Sequence, residues 1–138
     1  MENSKQKILI TGASSGLGRE LAHQYAQKGN VELILVARRK EALEKVAKKC
    51  EAFENVKTRV YSVDIGSQEQ VEHLLSSIKD IDILINGAGY GIMKDFSEFS
   101  DHDVVNMFDT NVIGTIQLTT EIAKRMRERK SGTIVTIA

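Results

Sequence analysis

Three glycines carry the first chemical signal in this chain. Gly12, Gly16 and Gly18 follow the short apolar run Ile8-Leu9-Ile10 and precede a helical pattern with Leu17, Leu21 and Tyr25 at i, i+4 and i+8. Strand, glycine-rich turn and helix together aim backbone N–H groups and the positive end of a helix dipole at an anion. Each glycine has a mechanical use: one for tight reversal, one for close approach of a phosphate, one for packing the helix near the sheet. The spacing Gly12-x-x-x-Gly16-x-Gly18 is not the G-x-G-x-x-G of the general dinucleotide fingerprint, and a flexible surface turn can also be this rich in glycine. The strand before and the helix after favour the nucleotide.

Twenty residues past Gly18 stands Arg38, with Arg39 behind it. A dinucleotide site usually has an acidic residue there, on the adenosine ribose hydroxyls. A carboxylate would repel a 2′-phosphate, whereas a guanidinium binds one through charge-assisted, bidentate bonds. Arg38 and Arg39 therefore predict NADP(H) over NAD(H), the alternative being two solvated charges opening a helix. Asp64 is placed either to accept from an adenine amino group or to cap the turn that follows it. In Asn86-Gly87-Ala88-Gly89 the glycines permit close backbone approach, and the Asn86 amide can tie neighbouring strand ends together. Tyr90-x-x-x-Lys94 has the spacing of an acid/base pair, but a glycine inside it and its place in a loop argue against one helical turn. Tyr90 and Ile92 fit better at the border of the nicotinamide or substrate end of the cleft.

These residues need a scaffold, and the chain alternates to provide one. Strands are expected at Lys7–Thr11, Val31–Val36, Lys57–Val63, Ile81–Ile85 and Thr133–Ile137, and helices over 15–28, 40–50, 67–79 and 101–129. A Ser67-x-x-Gln70 capping box starts the third helix, whose apolar face is Val71, Leu74, Leu75 and Ile78. In the long helix the apolar residues are Val104, Val105, Phe108, Val112, Ile116 and Met126, some covering the sheet and the surplus free to meet a partner. Five strands separated by helices specify an α/β, doubly wound parallel sheet, and right-handed crossovers give the order 3-2-1-4-5. The ligand crevice then lies at the carboxyl ends of the first and fourth strands.

A chain of 138 residues suits one domain, 1–138. Zero net charge argues against a nucleic-acid or membrane-surface partner, and no apolar run has transmembrane length. The lone Cys50 shares an apolar helix face with Leu43, Val46 and Ala47 and fits a reducing, cytoplasmic compartment. His23, His73 and His102 fall on different elements without a second ligand at metal spacing, so no metal is expected.

Taken in order, Thr11-Gly12-x-x-x-Gly16-x-Gly18, Asp64-Ile65, Asn86-Gly87-Ala88-Gly89 and Asn111-Val112-x-Gly114 resemble the successive motifs of the short-chain dehydrogenase/reductase family, over essentially the whole chain. The resemblance implies a Rossmann-type subunit that binds NADP, NAD less readily, and moves hydride between nicotinamide and a carbonyl or alcohol substrate. It also implies Thr11, Gly12, Ser14, Ser15, Gly16, Leu17 and Gly18 around the pyrophosphate and adenosine ribose, and Asp64 and Ile65 at adenine. Asn86, Ala88 and Gly89 would lie beside the ribose. Asn111 matches the family's catalytic asparagine, which supports a proton relay, although a mid-helix Asn is otherwise read as a local backbone bond or an exposed side chain.

The family's catalytic serine follows the fifth strand, and its Tyr-x-x-x-Lys helix lies beyond. This chain ends at Ala138, where that serine is expected next. The expectation is therefore a portion truncated after the fifth strand that binds cofactor with little turnover. Either a marginal monomer or a homodimer through helix 101–129 or the open fifth-strand edge is also expected. A non-catalytic nucleotide-binding or folding module is the first alternative. A methyltransferase-like domain is the second, and Arg38 counts against it.

Overall fold

The computed structural model describes residues 4–138. Its strands are β1 (Gln6–Thr11), β2 (Val31–Ala37), β3 (Val56–Ser62), β4 (Ile83–Asn86) and β5 (Thr133–Thr136), all parallel, in the order β3-β2-β1-β4-β5. The helices are α1 (Gly16–Lys28), α2 (Lys40–Glu51), α3 (Gln68–Ser77), α4 (Asp101–Phe108) and α5 (Thr115–Arg129). Fold class and strand order are thus those read from the alternation, with strand and helix ends shifted by one or two residues.

Side-chain alternation along the strands sorts the core into two layers. Ile8, Ile10, Leu33 and Leu35 face α1 and α2, packing on Ala22, Ala26, Leu43, Val46 and Cys50. Leu9, Ile34, Val36 and Leu84 face the other way, onto Val71, Leu74, Leu118 and Ile122 of α3 and α5. Burial and the neighbouring Glu51 charge push the Cys50 thiol up to about 11, as befits a core residue.

Four expectations need correction. The fully buried residues of α1 are Gly18, Ala22 and Ala26, whose small size lets this helix sit close to β1; Leu21 and Tyr25 pack at the edge of the core, and Leu17 is 63% exposed. The third helix ends at Ser77, not Lys79, and its capping box is half made. Ser67 accepts from the Gln70 N–H, but the Gln70 carboxamide accepts from the Asp64 N–H instead. The helix over 101–129 is not uniform, for Asp109–Gly114 forms a π turn between α4 and α5. Of the apolar residues expected on it only Met126 is buried; Val105, Phe108 and Ile116 are more than half exposed. Leu118 and Ile122 fill the core in their place. Finally, the expected fifth strand has the apolar residues Ile134, Val135 and Ile137 of a central strand, yet Thr133–Thr136 are all exposed, because as an edge strand β5 is paired to β4 alone.

Candidate functional site

Strand register brings the carboxyl ends into one row: Thr11 lies beside Val36 and Asn86, Val36 beside Tyr61, and Asn86 beside Thr136. Above this row a crevice of about 130 Å³ opens. Gly12, Ser14 and Ser15 of the β1–α1 turn form its floor. Ala37, Arg38 and Arg39 at and after the end of β2, with Val63, Asp64 and Ile65 after β3, line one side, and Ala88, Gly89, Tyr90 and Thr110 the other.

The turn is built on backbone contacts that exclude side chains. Gly12 has φ +68°, and a Cβ there would stand 2.4 Å from the Gly87 carbonyl oxygen. One on Gly18 would stand 2.2 Å from the Gly12 oxygen, so helix and turn touch backbone to backbone. Gly16 also takes a positive φ, +54°, but has nothing within 4 Å of where a Cβ would be, so its side of the turn is open. Ser15, at the amino end of α1, makes no side-chain cap bond, and the first turn holds no acidic residue. By contrast Ser67 caps α3, and Ser100 with Asp103 caps α4. The first N–H groups of α1 therefore lack the side-chain acceptors that cap α3 and α4, which leaves them able to hold an external anion.

Hydrogen bonds fix the other strand ends around this turn. The Ala13 N–H donates to the Val36 carbonyl (3.2 Å) and the Val63 N–H to the Ala37 carbonyl (2.9 Å). The Thr11 hydroxyl accepts from the N–H groups of both Gly87 and Ala88, at 3.1 Å each. Asp64 accepts from the Gly66 N–H at 2.9 Å, so its carboxylate caps its own turn while also lining the crevice. Arg38 and Arg39 give the crevice a positive wall, and the Arg38 guanidinium lies 5.8 Å from the centroid of the Tyr90 ring.

The residues singled out from sequence divide cleanly. Gly12, Ser14, Ser15, Arg38, Arg39, Asp64, Ile65, Ala88 and Gly89 meet at the crevice. Thr11, Gly16, Leu17, Gly18, Asn86 and Asn111 stand outside its lining. Asn86 is buried and does tie strand ends together, donating to the hydroxyls of Thr119 (2.8 Å) and Thr136 (3.2 Å). Asn111 makes no local helix bond. Its carboxamide holds the Tyr90 backbone at both ends, accepting from the N–H at 2.9 Å and donating to the C=O at 2.8 Å.

Thr110 was not foreseen. It stands four residues before Gly114, whose Cβ would lie 1.8 Å from the Ile65 carbonyl oxygen. The Asn-Val-x-Gly spacing foretells that close approach, and position i−4 shares the face. The π turn at Asp109–Gly114 sits against this loop, and the Thr115 hydroxyl donates to the Thr110 carbonyl five residues back.

Lys94 turns away from Tyr90. Its ammonium pairs with Asp103 and lies over the Phe99 ring, and residues 90–95 form no helix. The Lys94 partner, followed by Ser100, holds the Asp103 carboxyl down from 3.8 to about 2. A folded-state value below the unfolded one contributes stability that is present above about pH 4 and fades as pH falls toward 2. A carboxyl-detected NMR titration is expected to place the Asp103 midpoint near 2, moving up toward the ordinary value in Lys94→Met. A midpoint near 4 in both proteins would remove this anchor from the loop. Among the described residues no group of three or more His, Cys, Asp or Glu side chains is placed to hold a metal ion, and no helix is long and apolar enough to cross a membrane.

Comparison with known proteins gives one family. The short chain dehydrogenase family model matches residues 6–138. The NADP-dependent 3-hydroxy acid dehydrogenase of Schizosaccharomyces pombe is 33% identical over 135 residues, covering 94% of this chain and 52% of that protein. Human retinol dehydrogenase 8 is 35% identical over 144 residues, covering 100% of this chain and 45% of that protein. Among solved structures, the bulky-bulky ketone specific alcohol dehydrogenase from Comamonas testosteroni superposes with a TM-score of 0.91 at 28% identity, over 99% of this chain and 55% of that one. A short-chain dehydrogenase from Sphingobium yanoikuyae in complex with NADPH gives 0.88 at 30% identity, over 96% and 53%. The chain spans about half the length of the relatives it matches.

Proposed function

Because this chain belongs to the short-chain dehydrogenase family, we propose that its crevice holds NADP(H) and that it is the cofactor-binding part of an oxidoreductase acting on a carbonyl or alcohol. The observation that carries the reading is the uncapped, glycine-walled amino end of α1, sharing one crevice with Arg38 and Arg39. A pyrophosphate satisfies free N–H groups at a helix amino end, and a guanidinium at the end of β2 suits a 2′-phosphate. The residues fit the cofactor in kind.

Gly12, Ser14, Ser15, Gly16, Leu17 and Gly18 would surround the pyrophosphate, with Thr11 positioning the turn through its bonds to Gly87 and Ala88. Arg38 and Arg39 would take the 2′-phosphate, and Asp64 and Ile65 would border adenine. Ala88 and Gly89 would border the ribose, and Asn86 holds their strand in register. When bound, the nicotinamide supplies or accepts the hydride. Asn111 would support proton transfer near it while its carboxamide fixes the Tyr90 backbone. The only Tyr-x-x-x-Lys among these 138 residues is Tyr90–Lys94, whose Lys is committed to Asp103, so the general acid of carbonyl reduction is proposed to lie outside this segment. A cytoplasmic protein, paired with a second copy through the exposed side of α4 and α5 or the free β5 edge, completes the proposal. The names of the fission-yeast relative and of the NADPH complex support the choice of NADP over NAD.

Titration of this chain with NADPH and NADH, followed by nicotinamide fluorescence, is expected to show saturable binding with NADPH the tighter. Addition of a ketone is expected to leave the NADPH signal unchanged. Saturation by neither nucleotide would overturn the proposal.

A further inference from the structure

Arg38 and Tyr90 meet across the mouth of the crevice. Arg38 leaves the end of β2 and Tyr90 follows β4, and β1 runs between these two strands. Two strand spacings set those ends about 9.6 Å apart, yet the guanidinium carbon lies 5.8 Å from the ring centroid. A planar base enters between two flat groups only when they stand about 7 Å apart, two contacts of ~3.5 Å. Both side chains line the crevice, and at this separation no planar base fits between them.

The partners differ in freedom. The Tyr90 backbone is clamped at its N–H and its C=O by Asn111, whose π turn is pressed at Gly114 against the Ile65 carbonyl. Arg38 is an exposed, flexible side chain with no carboxylate within ion-pair distance among the described residues. Tyr90 is thus held at its backbone, whereas the Arg38 side chain has no such tether. A guanidinium over an aromatic face is held weakly, whereas a phosphate binds it through charge-assisted, bidentate bonds.

We propose that the Tyr90 ring is the resting place of Arg38: in the ligand-free protein the guanidinium lies on the ring across the crevice, and an entering adenosine lifts it off. This rests on the NADP(H) reading and adds Tyr90 as a residue that sets cofactor affinity without holding the cofactor. For NADP(H) the freed guanidinium meets the 2′-phosphate. For NAD(H) it meets only water.

The test is a double-mutant cycle with NADPH and NADH as probes. Tyr90→Leu is expected to bind both about two- to fivefold more tightly, the strength of an exposed cation–π contact, with their ratio unchanged. The same substitution in an Arg38→Ala background is expected to change neither. Weaker binding in both backgrounds would make Tyr90 a wall against the nucleotide and overturn the proposal, as would unchanged binding in the Arg38-containing protein. In the free protein the Arg38 Nε–H resonance is expected to shift on Tyr90→Leu through loss of the ring current, and an unmoved resonance also overturns it. If instead Arg38→Ala leaves the NADPH-to-NADH ratio untouched, the NADP(H) reading fails on its own terms. If that ratio falls while Tyr90→Leu tightens nothing, only the resting place fails.

Discussion

Gly114→Ala is expected to destabilise the fold by about 3 kcal/mol, the largest effect of any single methyl group here. The new Cβ would stand 1.8 Å from the Ile65 carbonyl oxygen, 2.7 Å from its carbon and 2.8 Å from the Ile65 Cγ2. Backbone and a buried side chain cannot yield by rotation, so the π turn must move away from the loop over 64–66. Thr110 would then leave the crevice wall, and Asn111 would pull on the Tyr90 backbone it holds. Chemical denaturation measures the loss directly. Gly91→Ala, with open space where its Cβ would be, is the control and is expected to cost less than about 0.5 kcal/mol. Equal midpoints for the two variants would mean that helix and loop do not touch as described.

Arg38→Asp is expected to cost roughly 1.5–3 kcal/mol of NADPH affinity, about 10- to 100-fold. The loss combines a missing charge-assisted pair with repulsion between the new carboxylate and a 2′-phosphate. NADH lacks that phosphate and is expected to bind the variant at least as well as the parent, so the preference falls or inverts. Paired titrations of parent and variant with both nucleotides read this out. Unchanged discrimination in Arg38→Asp would refute the assignment of the phosphate to this wall.

The fold was legible because its signals are periodic. Alternating apolar strands and one-sided helices leave few packings, and right-handed crossovers leave one order, β3-β2-β1-β4-β5. The part of the site made by strand ends was legible for the same reason, since Gly12, Arg38, Asp64 and Ala88 all stand where parallel strands stop. Contacts between elements distant in sequence were not. Nothing local announces that Asn111 reaches back 21 residues to grip Tyr90, or that Arg38 crosses β1 to lie over that ring. Side-chain periodicity also misjudged α1, where packing distance rather than hydrophobicity selects Gly18, Ala22 and Ala26.

A structure determined with NADP⁺ bound is the most direct test of the central claim. The pyrophosphate is expected against the N–H groups that open α1, and the 2′-phosphate within hydrogen-bond reach of the Arg38 guanidinium. A nucleotide bound away from the β1–α1 turn, or that turn's amides filled by the protein's own side chains, would contradict it.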